Sequence, residues 1–192
     1  MVMKVGVLRF QGDVREHLNY FKACGAETLP VVKPDDLANF DALVIPGGES
    51  TTIARFIYNE GFDEAIKEFL ESGRAVFATC AGLILLAKEV IGNKVQGLGF
   101  LDVVVERNAY GRQRESFEAP IQLTFDLSKE FNGVFIRAPR IVKVDKEVEV
   151  LGEFRGEPVL VKQERVMAAT FHPELTEDLR IGKYFINNVV GG

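Results

Sequence analysis

Cys80 lies in the run Arg74-Ala75-Val76-Phe77-Ala78-Thr79-Cys80-Ala81-Gly82-Leu83-Ile84-Leu85-Leu86-Ala87. Val76 and Phe77 suit a buried strand, and Ala81 to Ala87 suit an apolar helix. Gly82 leaves room where the turn between them packs closely. A cysteine there occupies the strand-to-helix turn that presents the nucleophile of an elbow. The helix dipole and the unpaired N–H groups of the first turn favour a thiolate. The plain alternative is a small buried apolar residue, as free cysteines often are. Far along the chain, Phe171-His172-Pro173-Glu174 comes after a second apolar run, Val166 to Thr170. A histidine at a strand end can reach the mouth of the same sheet. In an extended segment residues two apart share a face, so Glu174 is placed to orient His172. Thiol, imidazole and carboxylate are the parts of a nucleophile, a base and an orienting group. An ordinary turn is the competing account of His172-Pro173-Glu174.

A third stretch, Pro46-Gly47-Gly48-Glu49-Ser50-Thr51-Thr52, closes an apolar run. Glycines let the backbone approach a substrate closely. The N–H of Gly48 and that of Ala81 could form an oxyanion hole, where losing one donor costs about 100- to 1,000-fold in rate. A Pro-Gly-Gly turn would look the same. The lysine and spacing of a phosphate loop are absent.

The elements that must position these residues alternate. Lys4 to Phe10 reads as a first strand, ending at Gln11-Gly12. Asp13 and Glu16 form a capping-box pattern for a helix carrying Val14, Leu18 and Phe21. His17 on this helix has no evident partner and is expected to be a packed or surface histidine. Cys24, at the helix end, is expected in the core. Thr28 to Val32 and Asp41 to Ile45 read as strands, with a helical turn from Asp35 to Phe40. Ser50 is the expected cap of a helix with Ile53, Phe56 and Ile57 on its face, and another stripe runs from Phe62 to Leu70. The elbow helix is expected to reach Ile91-Gly92. This order predicts an α/β fold, with one doubly wound, mostly parallel sheet flanked by helices. Ligands in such sheets bind beyond the carboxyl ends of the strands, where Gln11, Gly47-Gly48 and Cys80 all fall.

From Gly97 the pattern changes to short strands: Phe100 to Glu106, Phe117 to Phe125, Val134 to Ile136, Val148 to Phe154, Val159 to Gln163 and Val166 to Phe171. These are expected as antiparallel additions in the second half. A closing helix is expected from Asp178 to Val190. The loop Arg107-Asn108-Ala109-Tyr110-Gly111-Arg112-Gln113-Arg114 is too polar for core. Arg107 and Arg137 taken alone suit surface salt bridges.

Bulk properties narrow the field. The 192 residues suit a single domain, 1–192, and a 47% hydrophobic share supports a real core. A net charge of -5 without a basic stripe argues against nucleic acid as a partner. Two cysteines make no disulfide framework and suit a reducing, cytoplasmic compartment. No apolar run approaches a membrane span. Histidine and cysteine are too sparse for a structural zinc site, and no metal or cofactor is expected.

Together the motifs make the chain resemble the class I, triad-type glutamine amidotransferases. The resemblance rests on Leu8-Arg9-Phe10-Gln11-Gly12-Asp13-Val14-Arg15-Glu16-His17, Ile45 to Thr52, Thr79 to Ala87, Arg107 to Gln113, Phe135-Ile136-Arg137-Ala138-Pro139 and Phe171-His172-Pro173-Glu174-Leu175. The cysteine and histidine motifs carry the broad class. Gly47-Gly48-Glu49-Ser50 and Arg107 to Gln113 are similar to the glutaminase-subunit family of two-component pyridoxal 5′-phosphate synthases. Two residues depart from the family pattern. Ala78 stands where Gly-x-Cys-x-Gly has its first glycine, which the elbow tolerates if φ is negative there. Tyr110 stands where phenylalanine is common.

The resemblance implies hydrolysis of L-glutamine to glutamate and ammonia through a thioester on Cys80. His172 would move protons and Glu174 would orient it. Gly47, Gly48, Glu49, Arg107, Ile136 and Arg137 would hold glutamine. An acid suits its α-ammonium and an arginine its α-carboxylate. It further implies delivery of ammonia to a separate (β/α)8-barrel synthase subunit, with little activity alone. The Gly47-Gly48 peptide is the candidate switch, since glycines tolerate reorientation, and Gln11-Gly12 with the first helix is the expected docking surface. Other readings stay open on the residues alone. They are a glutaminase of another pathway, a cysteine hydrolase of related fold, and a catalytically silent binding module.

Overall fold

The structure is a computed structural model and describes residues 2–92, 95–107 and 116–192. Asn108 to Arg114, with Tyr110, therefore lie outside the described residues. The chain begins β1 (Lys4–Leu8), α1 (Val14–Ala23), β2 (Glu27–Val31), a 3-10 turn (Pro34–Asn39), β3 (Ala42–Ile45), α2 (Ser50–Asn59), α3 (Phe62–Glu71), β4 (Ala75–Thr79) and α4 (Ala81–Leu86). It continues with β5 (Ala87–Ile91), β6 (Leu101–Glu106), β7 (Ser116–Leu123), β8 (Phe131–Ile136), β9 (Arg140–Val144), β10 (Glu149–Phe154), β11 (Glu157–Gln163) and β12 (Val166–Ala169). A 3-10 turn (Pro173–Leu175), α5 (Arg180–Tyr184) and a π-helical turn (Phe185–Val190) close it.

A nine-stranded sheet runs β2-β1-β3-β4-β12-β11-β10-β7-β8. Its first five strands are parallel, and the pairs from β12 to β8 are antiparallel. The expected α/β fold with antiparallel additions is present. Alternation along the strands splits the core in two. Leu8, Leu43, Ile45, Val76 and Ala78 face α2, α3 and α4. Val5, Val7, Val44, Phe77 and Met167 face α1, α5 and the closing turn.

Register positions the functional stretches. β12 pairs directly with β4, Ala169 opposite Thr79, and β3 pairs with β4 on the other side, Ile45 opposite Ala78. The segments leaving these three strands therefore emerge at one edge, and they carry Gly47-Gly48, Cys80 and His172. Ala78 is fully buried inside β4 and is not among the non-glycine residues with positive φ, so a β-carbon there costs the elbow nothing.

Several local expectations are corrected. The elbow helix stops at Leu86, and Ala87–Ile91 is a strand paired in parallel with β6. Its exposed Lys88 bridges Asp102 on β6 at 3.1 Å and Asp145, just past β9, at 3.2 Å. β9 pairs antiparallel with β6 to complete a second, three-stranded sheet that no periodicity announced. The closing helix is α-helical only to Tyr184 and then widens to a π turn.

Gly82 is required by close approach. A β-carbon there would collide with the Ile45 carbonyl oxygen and sit 3.1 Å from the Ala78 β-carbon. The obstacle is the backbone of β3, which cannot swing aside as a side chain can. Gly82→Ala is expected to lower stability by about 1–3 kcal/mol, the usual cost of overpacking. Urea unfolding of the two forms checks this; equal midpoints would mean that α4 shifts freely.

Candidate active site

Cys80 takes φ 49° and ψ -106° between β4 and α4. A positive φ at a residue with a β-carbon is a strained conformation typical of functional turns. It is held by the Cys80 N–H, which donates to the Ala169 carbonyl at 2.9 Å, and by Ala81 beginning a helix at once. The thiol is buried, and its Sγ lies 3.7 Å from the Ile136 carbonyl oxygen. Arg137, next to that carbonyl, also has positive φ, at 44°. As the first residue of α4, Ala81 has an N–H that the helix itself does not use.

His172 is buried at the same edge. Its N–H donates to the Val134 carbonyl at 2.8 Å, which ties the segment after β12 to β8. Its Nδ1 donates to Glu174 Oε1 at 2.6 Å. The expected partnership is present, but its basis differs. Pro173 and Glu174 belong to a 3-10 turn, so the turn and not strand alternation brings the carboxylate back onto the ring. Gly47 packs against both partners. A β-carbon on it would lie 2.9 Å from His172 Cε1 and 3.4 Å from the Cys80 β-carbon. Gly48 has φ +141°, which side chains rarely adopt.

Sequence reasoning misses two residues at this edge. Asp13 stands at the N-cap of α1, but its side chain makes no capping bond; its Oδ2 instead lies 3.3 Å from His172 Nδ1. That contact to His172 outweighs burial and holds the Asp13 carboxyl below its ordinary range. His17, expected to lack a partner, is fully buried with Nε2 3.5 Å from Glu174 Oε2 and 3.1 Å from Thr79 Oγ1. A signal exists in the spacing: Asp13 and His17 are four apart and share a helix face just after β1. Cys24 is only partly buried, with its Sγ 3.9 Å from the Leu179 carbonyl, and burial pushes that thiol up to about 11.

Burial by itself would lower the His172 pKa. Hydrogen bonds to Asp13, Cys80 and Glu174, with the Glu174 charge, reverse this and raise it to about 12. The ring is therefore a strong base beside a thiol, with its outer nitrogen gripped by carboxylates. Asp13, His172 and Glu174 present donor atoms within 4.8 Å of one another, a spacing a metal ion could use. The Nδ1 hydrogen bonding accounts for that grouping.

Glu49, not Ser50, caps α2. Its carboxylate accepts from the N–H of Thr51 at 3.1 Å, the N–H of Thr52 at 2.8 Å and the Thr52 hydroxyl at 2.7 Å. These bonds, the Thr52 hydroxyl first, hold its pKa down to about 2. The Ser50 hydroxyl is buried and finds no partner among the described residues. Glu49 also receives Arg107 Nη2 at 2.9 Å, and its own N–H donates to Gln11 Oε1 at 3.3 Å. The acid and the arginine expected to take opposite ends of an amino acid are thus paired with each other.

Residues 7–191 match the model of the SNO glutamine amidotransferase family. The chain is 52% identical to a pyridoxal 5′-phosphate synthase subunit PdxT of Thermotoga neapolitana, covering 97% of this chain and 100% of the relative. It is 49% identical to a subunit PdxT of a Geobacillus species, covering 98% and 97%. A crystal structure of a glutamine amidotransferase superposes with a TM-score of 0.91 at 46% identity, over 98% of this chain and 99% of the other. The Thermotoga maritima PurLQS structure superposes with a TM-score of 0.72 at 17% identity, over 100% and 99%, and shares the fold.

A raised imidazole pKa means that the fold favours the protonated ring, a contribution that is complete while the folded and unfolded chains both hold the proton and fades once the unfolded chain releases it. The full His172 contribution is present below its ordinary 6.5 and is lost as pH rises toward 12. The stability advantage of wild type over His172→Asn should therefore shrink as pH rises above 6.5. Urea unfolding at a series of pH values measures it. An advantage that grew with pH would contradict the assignment.

Proposed function

The chain belongs to the SNO glutamine amidotransferase family, and we propose that its Cys80, His172 and Glu174 hydrolyse the side-chain amide of L-glutamine for pyridoxal 5′-phosphate synthesis. The protein is the glutaminase subunit of a pyridoxal 5′-phosphate synthase and serves vitamin B6 biosynthesis. The observation that carries the residue assignment is the Nδ1 to Glu174 bond of 2.6 Å on a buried imidazole that shares one sheet edge with a strained cysteine.

With the thiol proton already held on His172, Cys80 Sγ attacks the amide carbon. The tetrahedral oxyanion is received by the N–H groups of Gly48 and Ala81. As the C–N bond breaks, His172 returns the proton to the leaving nitrogen and ammonia departs. Water, deprotonated by the same ring, then cleaves the thioester to glutamate and restores the thiol. Glu174 keeps the ring in the tautomer with Nε2 toward the chemistry. Glu49 receives the α-ammonium, and Arg107 with the Ile136-Arg137 segment receives the α-carboxylate. A zwitterionic substrate would replace the Glu49–Arg107 ion pair with two of the same kind, leaving the charge balance intact.

Residues 1–192 act as one amidotransferase domain, and its ammonia goes to a (β/α)8-barrel synthase subunit. Packing supports a partner-controlled switch at Gly47-Gly48. A β-carbon on Gly12 would strike the Gly47 carbonyl, and Gln11 holds the Glu49 N–H. A subunit docking on Gln11-Gly12 and α1 would press on that peptide directly. The free thiols Cys24 and Cys80 support a reducing, cytoplasmic setting.

Ammonia release is expected to be low from the isolated chain and to rise when the synthase subunit is added. Cys80→Ala should abolish it in the complex. A glutaminase assay on the three samples decides: equal rates with and without the partner would remove the switch, and an active Cys80→Ala would remove the thioester.

A further inference from the structure

Glu174 has two oxygens in different situations. Oε1 accepts from His172 Nδ1, whereas Oε2 is buried without a hydrogen bond among the described residues. The Glu174 side chain has 0% exposure, so water does not solvate that oxygen. An ionised carboxylate with a bare buried oxygen is costly unless an opposite partial charge faces it. The His17 ring is that group, with Nε2 3.5 Å away.

The neighbours of His17 set its donor roles. Nδ1 lies 2.7 Å from the Asp13 carbonyl, which can only accept, so Nδ1 carries a hydrogen. Nε2 meets the Thr79 hydroxyl at 3.1 Å, a group that can donate or accept. A ring with hydrogen on Nδ1 alone would turn a lone pair toward Oε2, so the form that braces Glu174 is the one with N–H at both nitrogens, for which the Thr79 hydroxyl acts as acceptor. Thr79 immediately precedes Cys80, so one buried contact joins α1, the nucleophile strand and the carboxylate. The titratable groups facing this ring are Glu174 from the turn after β12 and Asp13 on its own helix. Tyr20, on the same helix, is engaged with Asp178 and Gly182.

We infer that His17, braced by Thr79, is a positioning residue that holds Oε2 of Glu174 and so keeps Oε1 aligned on the catalytic imidazole. This rests on the assignment of Glu174 as the group that orients His172. His17 reaches the reacting groups only through Glu174 and Thr79 among its described contacts.

The test uses the assembled complex with its synthase subunit and steady-state glutamine hydrolysis across pH. His17→Leu fills the space without a donor. His17→Gln places an amide N–H near the position of Nε2. The expected result for His17→Leu is a fall in kcat of about 10- to 100-fold, the usual cost of losing a group that supports a catalytic ligand, with KM unchanged. The acid limb of its kcat profile, a property of the coupled Asp13–His172–Glu174 set, should move to higher pH, because a carboxylate without its donor takes up a proton more readily. His17→Gln should restore most of kcat and the limb. The inference is overturned if His17→Leu keeps the wild-type rate and profile. It is equally overturned if both variants lose rate together, with lowered melting temperatures and an unmoved limb, since that is a packing role. Cys80→Ala runs alongside. Ammonia release surviving in that variant would sink the glutaminase assignment itself, whereas its loss beside a normal His17→Leu would sink only the role of His17.

Discussion

The parallel pairing of β4 with β12 is the constraint on which the site depends. These strands lie far apart in the chain, yet Thr79 and Ala169 are neighbours, and the Cys80 N–H bonds to the Ala169 carbonyl. One register thus brings the thiol and the imidazole to the same edge. A slip by one residue would turn every side chain of β12 to the opposite face, so burial on both faces locks the register. β3 on the other side of β4 adds the Gly47-Gly48 backbone by the same logic. The antiparallel half of the sheet anchors His172 through the Val134 carbonyl on β8 and sets the Ile136 carbonyl beside the sulfur.

Electrostatics then act within a dry enclosure. His172, Glu174 and His17 are nearly or wholly buried, so each interaction among them is stronger than it would be in water. Desolvation opposes a charged imidazole, and two carboxylates and the thiol overcome it. The strained φ at Cys80 persists because the strand, the helix and the close fit of Gly82 under β3 determine it together. Glu49 and Arg107 differ: they are partly exposed, so their ion pair is solvated and weaker.

The α/β class, the parallel half of the sheet, the elbow and the three catalytic candidates are legible in the sequence because each is written locally. Apolar runs end in glycine or a chemical side chain, and helical stripes separate them. Cap details mislead where a side chain finds a better partner than its own helix: Asp13 turns to His172, and Glu49 displaces Ser50. β5 reads as helix because Ala87 to Ile91 continues an apolar pattern, while its fate is decided by lateral pairing to β6. His17 looks idle in the sequence because a lone histidine shows no partner until Glu174 is brought to it.

By itself the sequence determined the reactive groups and the kind of element that carries each, since strand and helix periodicity, glycine at crowded turns and the order of motifs are properties of neighbouring residues. Only the tertiary structure decided which groups meet: Asp13 and His17 from the first helix, Thr79 from the elbow strand, and His172 with Glu174 from the last turn. The physical reason is that hydrogen bonds and charge pairing act over a few ångströms in space without regard to separation along the chain, and sheet register, the docking of the first helix and the turn after β12 together set those distances.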